Sequence, residues 1–152
     1  MYDPARGYPS VVPYLRYVDP VTALAWLSEV LAAREAVRMI LPDGRIGHAE
    51  LVVDDHVIAI GLAISDETTP PAPTRQTLRA MTLVFVSDVD AAAARAGDLN
   101  GTLIDGPADM PWGLRQAVVA DPEGHLWELT AHLSDVPLSA WGAEPTGPPL
   151  PG

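Results

Sequence analysis

Residues Gln116 to Thr130 read QAVVADPEGHLWELT, two β-rich runs either side of Asp121-Pro122-Glu123-Gly124, whose residues favour a tight turn. A hairpin is predicted there, and an earlier stretch matches it. Val52 to Ile60 reads VVDDHVIAI, the same pattern with a turn two residues shorter. Working outward, each hairpin closes a similar series. In the first half, Val11 to Val18 is β-rich, and Asp19-Pro20 supplies an N-cap acid with proline at the first helical position. Leu24, Leu27 and Leu31, with Val30 beside them, recur at spacings of three and four and predict a helix over Val21 to Ala33. Ala36 to Leu41 and Ile46 to Val53 flank the turn Pro42-Asp43-Gly44-Arg45, and Val57 to Leu62 follows.

The second half repeats that order. Met81 to Val86 is β-rich, Ser87-Asp88 caps an alanine-rich helix over Val89 to Ala96 closed by Gly97, and Thr102 to Ile104 is a short strand before the final hairpin. The expectation is an α+β fold of two tandem βαβββ units. Between them Ser65 to Thr77, SDETTPPAPTRQT, reads as a linker, and residues 133–152 form a proline-rich arm that either packs across a partner subunit or dangles.

A chain of 152 residues fits one domain, large enough to bury a core without disulfides or structural metals. It holds nine Arg, no Lys and 20 Asp plus Glu, a net charge of −11 that repels phosphate backbones and anionic lipid. Nucleic-acid and membrane partners are therefore not expected. Without cysteine there is no thiol nucleophile or thiolate-bound zinc, and the first residues lack the pattern of a secretory leader, so a cytoplasmic location is expected. No Gly-x-Ser-x-Gly elbow, phosphate loop or EF-hand spacing is present.

The duplicated unit, with VVPYLRYVDP at the front, DGRIGHAEL in the first meander and WGLRQAVVADPEGHLWEL at the end, resembles the vicinal oxygen chelate superfamily over about residues 10–132. That superfamily includes glyoxalases, extradiol dioxygenases and bleomycin-resistance type binding proteins. The resemblance implies modules over 10–64 and 78–132, a curled, open sheet around a cleft, and a homodimer. For the metal enzymes of the superfamily it also implies a ligand near the start of each module's first strand and on its last strand. Those positions fall at Val12, Ala59, Thr82 and Glu128, of which only Glu128 is a good donor. The standard metal site is not expected, nor is any cofactor.

Individual residues refine the picture. Glu128, on an apolar strand, either pairs with Arg16 or Arg115 or serves as a polar anchor or base in the cleft. His48 and Glu50 lie two apart and share a strand face as a polar patch, or else as a nonstandard metal or acid–base pair with Glu128. Tyr14 and Arg16 share a face with Val12. Trp112 stands in an irregular loop, free to contact a flat ligand or pack on its own loop, and Arg115 follows it. His56 and His125 read as structural and His132 as solvent-facing, while Trp26 and Trp127 read as packing residues. The ligand-binding candidates are Tyr14, Arg16, His48, Glu50, Trp112, Arg115 and Glu128. The expected function is metal-independent binding of a small hydrophobic or aromatic molecule, a cationic one being favoured by the acidic field, as in drug-sequestering relatives. The alternatives are a lyase, isomerase or dioxygenase with relocated metal ligands, and a degenerate dimeric interaction module.

Overall fold

The computed structural model describes residues 9–54, 56–62 and 80–147; the expected linker lies outside them. Strand β1 (Tyr14–Tyr17) leads into helix α1 (Pro20–Leu31), followed by β2 (Arg34–Ile40), β3 (Ile46–Val53) and β4 (His56–Leu62). The second unit runs β5 (Thr82–Phe85), α2 (Val89–Asp98), β6 (Thr102–Asp109), β7 (Leu114–Ala120) and β8 (Leu126–His132), and a short 3-10 turn spans Leu138–Trp141. Both helices start where side-chain caps allow. The Asp19 carboxylate accepts from the backbone N–H groups of Val21 and Thr22, and Asp88 accepts from Ala91. Helix α1 stops at Ala32, whose φ of 53° leaves the helical region.

Each unit builds its own four-stranded sheet, β1-β4-β3-β2 in the first and β5-β8-β7-β6 in the second, with the first strand parallel to the last. The architecture is α+β with two tandem βαβββ modules. Period-two alternation gives each sheet a helix-bearing face and an outward face. Tyr17, Ala49, Leu51 and Ile60 join Leu24, Leu27 and Leu31 of α1 in a core cluster that also takes in Ala117, Val119, Trp127 and Leu129 of the second sheet. One core thus spans both modules, with the rings of Trp26 and Trp127 6.2 Å apart inside it. A fully buried leucine such as Leu27 contributes about 1.5–3 kcal/mol by leaving water.

The modules are also tied by polar contacts. The Tyr17 hydroxyl donates to Asp121 Oδ2 at 2.6 Å, and Trp127 Nε1 donates to the same oxygen at 3.2 Å. Oδ1 of Asp121 accepts from the backbone of Glu123 and His125, which shapes the Asp121–Gly124 turn. Glu123 reaches back to accept from the backbone N–H groups of Val18 and Asp19, at the entrance to α1. The turn that reveals the fold in the sequence is therefore also a clamp between its halves.

Beyond shifts of a few residues at element ends, two features depart from expectation. Strand β6 runs on to Asp109 instead of stopping at Ile104, because register shifts between Leu103 and Ala108 carry the pairing past Pro107, which has no N–H to give the ladder. The arm after His132 is tethered to the body as far as Trp141. Leu133 and Ser134 donate to the Gly113 carbonyl, and Trp141 meets Trp112 edge-on at 6.2 Å.

Candidate functional site

On the outward face of the first sheet, register places Tyr14 beside Ala59 and Ala59 beside Glu50; one step along, Arg16 lies beside Gly61 and Gly61 beside His48. Tyr14 and His48 thus sit on strands separated by β4, and the smallness of Gly61 lets them meet. A Cβ at Gly61 would lie 2.6 Å from Tyr14 Oη, inside any allowed contact. The tyrosine leans across β4, its hydroxyl 3.2 Å from His48 Nδ1 and its ring stacked on the imidazole at 5.7 Å. Behind His48, Nε2 stands 3.0 Å from Oε1 of Glu50, which is only 1% exposed. Met39, 48% exposed, lies opposite His48 on β2 and adds apolar surface. Three of the sequence candidates, Tyr14, His48 and Glu50, therefore form one chain of contacts, with Arg16 exposed beside them.

The corresponding face of the second sheet carries Glu128, in register with Leu83 and Val118. The expected pairing of Glu128 with an arginine is not found: among the described residues none hydrogen-bonds or ion-pairs with its carboxylate. Arg115 lies instead on the helix-bearing side, where alternation puts it in line with Ala117 and Val119, and it grips Asp90 of α2 and Asp109 of β6. The hydrogen bonds that Arg115 donates to Asp90 and Asp109 push the guanidinium pKa further up, and the same contact lowers that of Asp90. Arg115 is a strut between sheet and helix. Trp112 is held by its own surroundings: Nε1 donates to Gln116 Oε1 at 3.1 Å, and Trp141 covers one edge, leaving the indole 39% exposed.

Two of the histidines outside the site, His125 and His132, behave as the sequence suggests. The His125 ring packs on Tyr17 at 4.4 Å beside Asp121, and exposed His132 pairs with Asp135 at 3.0 Å.

The metal positions implied by the resemblance do not assemble a donor set. Thr82 lies in register with Trp127, hence on the helix-bearing side; the outward neighbour of Glu128 on β5 is Leu83, just as Tyr14 is the outward neighbour of Ala59. The pseudo-equivalent positions are then Tyr14, Ala59, Leu83 and Glu128, and a first-row divalent ion needs several carboxylate or imidazole donors converging. His48 and Glu50 are already bonded to one another, and among the described residues no group of three or more His, Asp or Glu is arranged to hold an ion. The residues present do not fit the metal of the superfamily's enzymes.

Between the modules runs an apolar groove of about 500 Å³, lined by Val11, Pro13, Val57, Leu83 and Phe85 among others. None of the seven sequence candidates lines it. Sequence reasoning assigns no role to Gly61, marks Asp121 only as a turn residue and leaves open where Trp141 of the arm packs. A glycine inside a strand pattern is a usable signal of close approach, and Gly61 carried it. Nothing local marks Trp141, whose partner is 29 residues earlier in a loop.

Residues 11–129 match the model of the Glyoxalase/Bleomycin resistance protein/Dioxygenase superfamily. The crystal structure of TioX from Micromonospora sp. ML1 is 34% identical, with a TM-score of 0.62 over 82% of this chain and 99% of that one. TnmS3, an antibiotic binding protein from Streptomyces sp. CB03234, shares the fold at 24% identity and a TM-score of 0.55, covering 82% of this chain and 99% of its own. Among curated sequences, Mb0911c of Mycobacterium bovis is 29% identical over 131 residues, 84% of this chain and 86% of that protein. Two matching βαβββ modules, the shared core and these likenesses converge: the chain belongs to the Glyoxalase/Bleomycin resistance protein/Dioxygenase superfamily.

Proposed function

We propose that the protein binds a small hydrophobic or aromatic organic molecule, favouring a cation, on the outward sheet faces and without a metal ion. One observation carries this reading: exposed Tyr14 and half-buried His48 form a polar and aromatic platform, backed by Glu50, where the superfamily's enzymes would need metal ligands and this chain has Ala59. A binding surface needs apolar area with a few fixed polar groups, and the platform with Met39 beside it has both. The unpaired Glu128 carboxylate and the net charge of −11 favour a positively charged guest. An antibiotic-binding fold neighbour, TnmS3, is consistent with such use of the scaffold.

A second copy of the chain completes the cleft in this reading. Both sheets turn their helix-bearing sides to one core, so Tyr14 on one outward face and Leu83 and Phe85 on β5 stand 56%, 47% and 54% exposed. Strands β1 and β5 are also edge strands of their sheets, as β2 and β6 are at the opposite ends, and a partner would cover β1 and β5. No helix among the described residues is long and apolar enough to cross a membrane.

A thermal-shift screen of aromatic and cationic compounds, run with and without EDTA, tests the proposal. A ligand at 100 times its Kd adds about 2.7 kcal/mol to the native state. The expected result is stabilisation by at least one aromatic cation, unchanged by the chelator. Silence across a broad panel, or stabilisation that EDTA abolishes, contradicts it.

A further inference from the structure

The polar platform has a direction. Glu50 is buried, and in its ionised form the carboxylate has only lone pairs to offer, which makes His48 Nε2 at 3.0 Å the donor between them. A neutral imidazole carries one N–H, which leaves Nδ1 as an acceptor. The group facing Nδ1, at 3.2 Å, is the Tyr14 hydroxyl, whose proton must point inward to it. The hydroxyl's lone pairs are then left over. They face outward, because Tyr14 is 56% exposed while its Oη is pressed over Gly61. A chain of hydrogen bonds ending on a carboxylate also polarises each member, making the terminal oxygen a better acceptor.

We propose that the Glu50–His48–Tyr14 chain fixes Tyr14 Oη as a hydrogen-bond acceptor that selects ligands carrying a protonated primary or secondary amine over equally charged quaternary ammonium compounds. This rests on the small-molecule binding reading and adds the chemical class of the guest. The specificity lies in orientation. A free tyrosine hydroxyl donates or accepts as the partner requires, whereas this one has its proton committed to His48. An ammonium N–H meets an acceptor; a quaternary nitrogen offers none, although its charge is the same. Gly61 is part of the device, since any side chain there would push Tyr14 off His48 and release the hydroxyl.

The test compares benzylammonium with benzyltrimethylammonium by calorimetry at pH 8, and reads the His48 tautomer by 15N NMR in the ligand-free protein. Wild type is expected to prefer benzylammonium by about tenfold, the factor one charge-assisted hydrogen bond supplies. The preference should vanish in Tyr14→Phe and fall in Gly61→Ala, both of which keep the negative field. His48 should carry its proton on Nε2. Equal affinity for the two probes in wild type, or a preference that survives Tyr14→Phe, overturns the inference and leaves the binding reading intact. A proton on Nδ1 overturns it whatever the ligand. If neither probe binds while other compounds in the thermal-shift panel do, the inference alone fails; if the whole panel is silent, the binding reading fails with it.

Discussion

The Tyr17 hydroxyl from the first module donates to Asp121 Oδ2 of the second across 2.6 Å, and both side chains are buried, at 1% and 4% exposure. A buried carboxylate is tolerable only when its oxygens are satisfied, and Asp121 gathers Tyr17, Trp127 and two backbone N–H groups around it. The contact joins the two modules as well as solvating the charge. Tyr17→Phe removes one donor without opening a large cavity and is expected to cost about 1.5–3 kcal/mol, the range for hydrogen bonds to charged groups. Urea denaturation checks this, and a loss under half a kcal/mol, well below that range, would show that the clamp is not a major tie.

The same carboxylate sets an acid limit. Burial acts to raise the Asp121 pKa, but His125, Tyr17 and Trp127 together outweigh it and hold the group below its ordinary value. Folding therefore favours the ionised form. Its contribution is complete above the unfolded carboxylate value of about 4 and drains away as pH falls through the lower folded value. Below about pH 4 the Tm of wild type should fall more steeply than that of Asp121→Asn, which has nothing to titrate at that position. Parallel pH profiles from scanning calorimetry would contradict this.

Arg115 gives a prediction that separates strut from site. Its guanidinium ties β7 to Asp90 of α2 and Asp109 of β6 on the side away from Glu128. Arg115→Ala should lower the Tm and leave ligand affinity unchanged in the titrations that Tyr14→Phe alters. A loss of affinity with unchanged Tm would move Arg115 into the binding surface.

Trp112 and Trp141 should report on the arm by fluorescence. Their edge-on contact at 6.2 Å closes one side of the Trp112 indole, and such pairs add about 0.5–1.5 kcal/mol beyond area burial. Trp141→Phe should keep most of that stability, whereas Trp141→Ala should lose it and shift Trp112 emission to the red. An unchanged Trp112 spectrum in Trp141→Ala would mean that the arm does not rest there in solution.

The fold was legible because its elements announce themselves locally: Asp19-Pro20 starts a helix, Asp121-Pro122-Glu123-Gly124 makes a turn, and alternation does the rest. Face-sharing was legible too. The two-residue spacing of His48 and Glu50 put them on one side, and the structure adds Tyr14 to them. What sequence does not carry is register between strands. Thr82 and Leu83 are equally plausible neighbours for Glu128 until the parallel pairing chooses Leu83. Arg115 was read as part of the loop before the strand, whereas β7 begins at Leu114 and takes Arg115 into its alternation with Ala117 and Val119. The Tyr17–Asp121 clamp spans more than a hundred residues, and no local pattern in either segment names the other.

The most direct measurement takes a single batch purified without chelators, determines its divalent metal content by elemental analysis, and titrates the best thermal-shift ligand by calorimetry before and after EDTA dialysis. Metal far below one ion per chain, with an unchanged Kd, is the predicted result. One tightly held divalent ion per chain, lost in Glu128→Ala together with ligand binding, would contradict the account.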